Sequence, residues 1–188
     1  MAEAFAARER IWRAIWRHKL HVEPRALDLA PHHVREHYEH IWAPAERLRS
    51  ALKDLPLGLL ALWRDAEAGH VVFTHLPSRY VPGEQPWHSG VLIGVCYLSV
   101  TELLDDVWRA LRAWLDLLDH LLGSGARPEG GRFSSGAGLT PRLQEAAQRF
   151  LYIESLGYGH RELGAAHAGD YFALTLALYL RDPRRLNV

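Results

Sequence analysis

The stretch SVTELLDDVWRALRAWLDLLDHLLG, residues 99–123, constrains the fold more than any other part of the chain. Ser99 stands three residues before Glu102, the capping-box spacing in which hydroxyl and carboxylate each satisfy a free backbone donor at a helix start. Leu104, Val107, Trp108, Leu111, Leu115, Leu118 and Leu122 then recur at helical spacing, with Asp105, Arg109, Arg112, Asp116 and Asp119 on the opposite stripe. The pattern predicts a helix from about 100 to 122, closed by Gly123 as its C-cap. A stripe this apolar requires a partner surface.

The partner is legible on either side. Residues 70–76, HVVFTHL, and 90–99, GVLIGVCYLS, are rich in β-branched and aromatic residues and read as strands, the second apolar on both faces and therefore inside a covered sheet. Between them PSRYVPGEQPWHSG carries three prolines and two glycines and reads as a loop. Upstream, Phe5, Ile11, Trp12, Ile15 and Trp16 mark residues 3–18 as an amphipathic helix. Val34, Tyr38, Ile41, Trp42, Leu48 and Leu52 mark a second helical pattern from Pro31 to about Lys53, kinked near Pro44. Downstream, residues 123–139 hold six glycines and read as a mobile, flap-like loop. Thr140 and Pro141 start a helix to about Tyr152. DYFALTLALYL, apolar nearly all round, forms a buried helix over 170–181 that Asp182 and Pro183 end. The layout is α+β, with one domain expected over 1–188.

Composition narrows the function. A chain of 188 residues that is 48% hydrophobic can bury one substantial core. Lys+Arg and Asp+Glu each number 22, so no basic excess points to nucleic acid. Cys96 is the only cysteine, which leaves no intramolecular disulfide and favours a cytoplasmic setting. The N-terminus is charged throughout and no stretch approaches eighteen uncharged apolar residues, so neither secretion nor a membrane partner is expected. No GxGxxG or P-loop pattern points to a nucleotide.

LLDHLLG, the FSSG loop after it and DYFALTLALYLRDP further on resemble, over roughly residues 65–183, the zincin peptidases of the anthrax lethal factor-like and Pro-Pro endopeptidase group. The resemblance implies a compact zincin-like domain, a small sheet packed with several helices. It also implies a zinc site built from an HExxH helix and a carboxylate on a second helix. That chemistry needs two imidazoles one turn apart to face one metal and a glutamate to activate water. With Asp119 and Gly123 as register, the first His falls on Arg112, the catalytic Glu on Ala113 and the second His on Asp116. The metal-ligand Glu falls on Asp170, the supporting Glu on Leu174, and a family tyrosine on Leu163, with Tyr158 nearby in sequence. The outline is kept and the reacting groups are replaced.

Three readings of these positions follow. Arg112 could take the place of the zinc, held by Asp116 four residues on and by Asp170, with no metal or other cofactor. The bland counterpart is a solvated Arg112–Asp116 pair, with Asp170 merely capping its helix. Alternatively Asp116, His120 and Asp170 could hold zinc or another, harder divalent metal. A separate cluster in PHHVREHYEH, with His33, Glu36 and His37 in the inverted H-x-x-E-H order and His40 on the same helical face, could also bind a metal, although such residues more often form just a solvated face. Ser134 and Ser135 lack an identifiable base, Cys96 reads as an inert core thiol, and His75, Tyr80 and His88 carry no motif. The resemblance therefore implies a peptidase homologue without catalytic residues that keeps a cleft for a peptide or protein. The alternatives are a hydrolase with atypical ligands and an oligomeric scaffold using Trp12 and Trp16 as an interface; sequence leaves the oligomeric state open.

Overall fold

The computed structural model describes residues 2–88, 90–157, 165 and 167–182. Its centre is a mixed four-stranded sheet of β1 (Leu20–Val22), β2 (His70–Thr74), β3 (Arg79–Trp87) and β4 (Gly90–Ser99), in the spatial order β1-β2-β4-β3. β1, β2 and β4 run parallel, while β3 returns antiparallel along β4 and forms the edge. Around the sheet stand α1 (Ala2–His18), α2 (His32–His37), α3 (Ala43–Ala51), α4 (Leu57–Asp65), α5 (Val100–Asp105), α6 (Val107–Ser124), α7 (Pro141–Ser155) and α8 (Ala168–Arg181). The arrangement is α+β, as the order of two helix patterns, a run of strands and then further helices implies.

The sheet has two unlike faces because side chains alternate along each strand. Val71, Phe73, Cys96 and Leu98 point into the main core with the helices. Val72, Leu92 and Val95 form a smaller cluster on the other face under Trp87 and Tyr97. The main core is threaded by three indoles. Trp12 of α1 meets Trp63 of α4 edge-on at 5.9 Å, and Trp63 meets Trp114 of α6 at 5.4 Å. Trp12 is thus part of this chain's own core, which removes it from the expected interface; Trp16, half-buried, packs on Trp42.

α6 is buried well beyond the anticipated stripe. Ala113, Trp114, Leu117 and Leu121 are enclosed as well, because the sheet covers one side of the helix and α8 another. Truncating a core residue here, such as Leu111→Ala, costs about 2–5 kcal/mol by lost transfer energy and the cavity left behind.

Several expectations require correction. The single helix over 100–122 is two: after α5, Asp106 leaves the helical conformation at φ −149°, ψ 85°, and its carboxylate caps α6 by accepting from the N–H groups of Trp108 and Arg109. Gly125, at φ +70°, and not Gly123, ends α6. Gly123 lies inside the helix, where a Cβ would collide with the backbone of Gly131–Phe133. The 31–53 pattern breaks at Tyr38, which is extended, while Pro44 sits harmlessly in the first turn of α3. β3 replaces the expected loop: Pro82 and Pro86 are tolerated because an edge strand needs partners on one side only. β1 and α4 lie outside the patterns that mark the other elements in the sequence. The glycine-rich segment carries a 3-10 turn, Phe133–Ser135, and is pinned to α6 by backbone bonds such as Leu139 N–H to the Leu122 carbonyl.

Candidate functional site

α6 and α8 pack together with the first turn of α8 beside the middle of α6. Ser99 starts α5 by accepting from the Glu102 N–H, and Asp106 restarts the helix; together these caps aim Arg112 outward. His167 caps α8, its Nδ1 accepting from the Asp170 N–H at 3.2 Å. Asp170 is therefore a first-turn residue and not itself the cap. At that turn its carboxylate faces the positive end of the helix and accepts an ion pair.

Arg112 and Asp170 meet directly, the guanidinium Nη2 on the carboxylate Oδ1. The other oxygen, Oδ2, lies 3.2 Å from His167 Nε2. The Asp170 side chain is 11% exposed and that of Arg112 is 52% exposed, so the pair is rooted in the protein and open at its cationic side. Asp116 does not close the expected network with Arg112. It faces Arg132, from the glycine-rich loop, with Nη1 3.8 Å from its Oδ1 and 3.3 Å from its own carbonyl oxygen. Burial pushes the Asp116 carboxyl above its usual range, against the pull of Arg132 and Arg112.

Beneath this surface pair lies an enclosed one. Asp119, 1% exposed, accepts from the Ser134 N–H at 2.7 Å and from its hydroxyl at 2.6 Å, with Arg132 Nη1 3.7 Å away. Burial raises the Asp119 carboxyl, and the two Ser134 bonds and Arg132 oppose the rise. Ser134, itself buried, thus spends both its N–H and its hydroxyl on Asp119 and ties the loop to α6. Next to it the Tyr80 hydroxyl donates to His120 Nδ1 at 2.8 Å, and His120 Nε2 donates to the Gly130 carbonyl at 3.1 Å. Desolvation lowers the His120 pKa and raises that of Tyr80. The Arg132 guanidinium stands 6.0 Å above the Tyr80 ring.

The metal sets named from sequence are not assembled. His120 turns to Tyr80 and the loop, away from Asp116 and Asp170. His33 pairs with Asp105 at 3.3 Å, His37 packs on Tyr38, and His40 lies beyond the end of α2 with Glu46 3.9 Å away. Among the described residues no three His, Cys, Asp or Glu side chains converge as a metal site. Zinc also misfits the positions that the resemblance assigns. Arg112 offers donors and no lone pair, Ala113 is a buried methyl, and Leu174 is apolar. Leu163 and Tyr158 lie outside the described residues. His88 packs on Trp87, while Tyr80 faces α6.

Comparison with family models, curated proteins and solved structures finds no match to this chain. Arg132 and His167 were missed in the sequence, and no local signal marks either one. Their roles come from where a loop and a helix start return to α6. No helix among the described residues is long and apolar enough to cross a membrane.

Proposed function

We propose that this chain is a zincin-like domain without peptidase chemistry, which binds an extended peptide or protein segment along the edge strand β3. The observation that carries the reading is the Arg112–Asp170 pair. Two helices that resemble the metal-bearing helices of a peptidase meet through a guanidinium and a carboxylate, so a cation is held where the resemblance calls for one. A guanidinium cannot polarise a carbonyl as a metal does or lower the pKa of a bound water, and Ala113 supplies no base. Hydrolysis therefore has no agent at this place.

The sheet supports the binding half of the reading. β3 has β4 on one side and, among the described strands, no neighbour on the other. An added strand there gains main-chain hydrogen bonds of about 0.5–1.5 kcal/mol each, and we assign the choice among side chains to the charges of Arg112, Asp116 and Arg132. The buried, unpaired Cys96 agrees with a cytoplasmic setting.

The test is a selection from a random peptide library, followed by amide NMR shifts on the full chain and mass spectrometry of the bound peptide with added zinc. Shifts concentrated in residues 79–87 with an intact peptide are expected. Time-dependent cleavage on zinc addition, or shifts confined to another surface, would overturn the reading.

A further inference from the structure

A second group of metal-ligating side chains lies away from α6 and owes nothing to the peptidase resemblance. His21 of β1 stands opposite Val72 in the parallel register, and His70 is two residues before Val72 on β2. Strand alternation puts His21, His70 and Val72 on the same face of the sheet, the one that carries Val95, Trp87 and Tyr97. There His21 Nε2 and His70 Nδ1 approach to 3.0 Å, with ring centroids 5.2 Å apart. Trp87 packs edge-on against His21 at 5.5 Å.

The separation is informative. Two imidazole nitrogens that bind one metal at ~2.0–2.1 Å are about 2.9 Å apart at right angles and about 3.3 Å apart in a tetrahedron. The 3.0 Å contact is a hydrogen bond between the two rings and falls inside that interval, so an ion that displaces the shared proton meets both nitrogens after a turn of the rings, with little movement of either strand. Both rings are half-buried and sit on paired strands, so little ordering is needed on binding. Desolvation favours the neutral imidazole in each, which is the ligating form.

We propose that His21 and His70 form a two-imidazole site for one divalent transition-metal ion of the copper and nickel class, on the sheet face remote from α6. Two nitrogens with the remaining positions open to solvent suit a tetragonal ion, and copper is the strongest binder in the divalent series. Lys19 sets a limit on the affinity. Its ammonium, donating to the carbonyls of Ala66, Glu67 and Ala68, is a neighbouring positive charge that any bound cation must face.

The test is calorimetric titration of Cu2+ into the full chain after His32, His33, His37 and His40 are replaced by Gln, which removes the exposed histidines near α2. H21Q and H70Q follow in that background, with electron paramagnetic resonance of the Cu2+ complex. One ion per chain, hyperfine structure from two nitrogens, and a loss of about tenfold or more in affinity for each variant are expected. The double variant should lose the site altogether, since no imidazole remains there. Thermal melts check each variant's fold, and broadening of the His21 and His70 ring signals by Cu2+ in the unsubstituted protein gives a readout that needs no variant. No stoichiometric binding, affinity unchanged in both variants, or broadening confined to other histidines would overturn the proposal.

Discussion

Two carboxylates join α6 to the chain that follows it, and they do opposite work. Asp119 is enclosed and takes both hydrogen bonds of Ser134, locking the glycine-rich loop onto the helix. Asp170 holds an arginine whose side chain is half open to water, at the junction of α6 and α8. The chemistry of the groups is the same and the burial differs. An enclosed carboxylate cannot change partners without stranding a charge, so it belongs to the fold. The open pair can exchange with solvent or ligand, so it is free to belong to function.

The enclosed junction should break hardest. Gly123→Ala drives a methyl into the backbone of residues 131–133, which cannot move aside as a flexible side chain would, and should cost about 3 kcal/mol or more by overpacking. Chemical denaturation should show a lower midpoint at unchanged slope. Asp119→Ala comes next. It leaves the Ser134 N–H and hydroxyl buried without acceptors, for a loss of about 2–4 kcal/mol measured the same way. If either variant melts like the parent, the loop is not anchored as described.

The histidine pair lies between the two junctions in exposure and should show as a pH dependence. Desolvation, with Lys19 and His21 adding to it, depresses His70 to about 4, and His21 shifts in the same direction. The unfolded chain therefore binds more protons than the folded one between about pH 4 and the ordinary histidine value near 6.5. The stability from keeping His70 neutral is fully present above that value and is lost as the pH falls to about 4. After allowance for solvent screening at a half-buried ring the loss is roughly 1–2 kcal/mol. Melting temperature against pH, compared with H70Q, should show a step in the parent that the variant lacks. Parallel curves would disprove the assignment.

What the sequence revealed divides along the same line between local and returning contacts. The start of α5 was legible from Ser99, whose hydroxyl accepts from the Glu102 N–H, although the Glu102 carboxylate turns to the Ser78 N–H and leaves the Ser99 N–H to the Ser78 hydroxyl; the strand character of β2 and β4 was legible because it resides in consecutive side chains. The break at Asp106 was hidden because the apolar stripe runs through it, so periodicity outvoted a good cap. Pro82 and Pro86 disguised β3, since a proline reads as loop until the strand is known to be an edge. At the candidate site, Arg112 and Asp170 could be named because each sits on a strongly patterned helix. Arg132 could not, because its place beside Asp116 and Asp119 exists only once the glycine-rich loop has folded back.

The smallest effect is expected at the open junction, and it separates a functional pair from a structural one. Arg112→Ala removes a side chain that is 52% exposed, and exposed pairs contribute about 1 kcal/mol or less. Asp170 keeps His167 at 3.2 Å, so the variant does not leave its carboxylate alone. A double-mutant cycle of Arg112→Ala with Asp170→Asn should give a coupling of about 0.5–1 kcal/mol, against a larger one for Asp119→Ala with Ser134→Ala. A peptide selected on the parent should bind the Arg112→Ala variant more weakly while the melting temperature barely moves. Equal coupling at the two junctions would mean that Arg112 is as much a part of the scaffold as Asp119, leaving β3 alone to account for recognition.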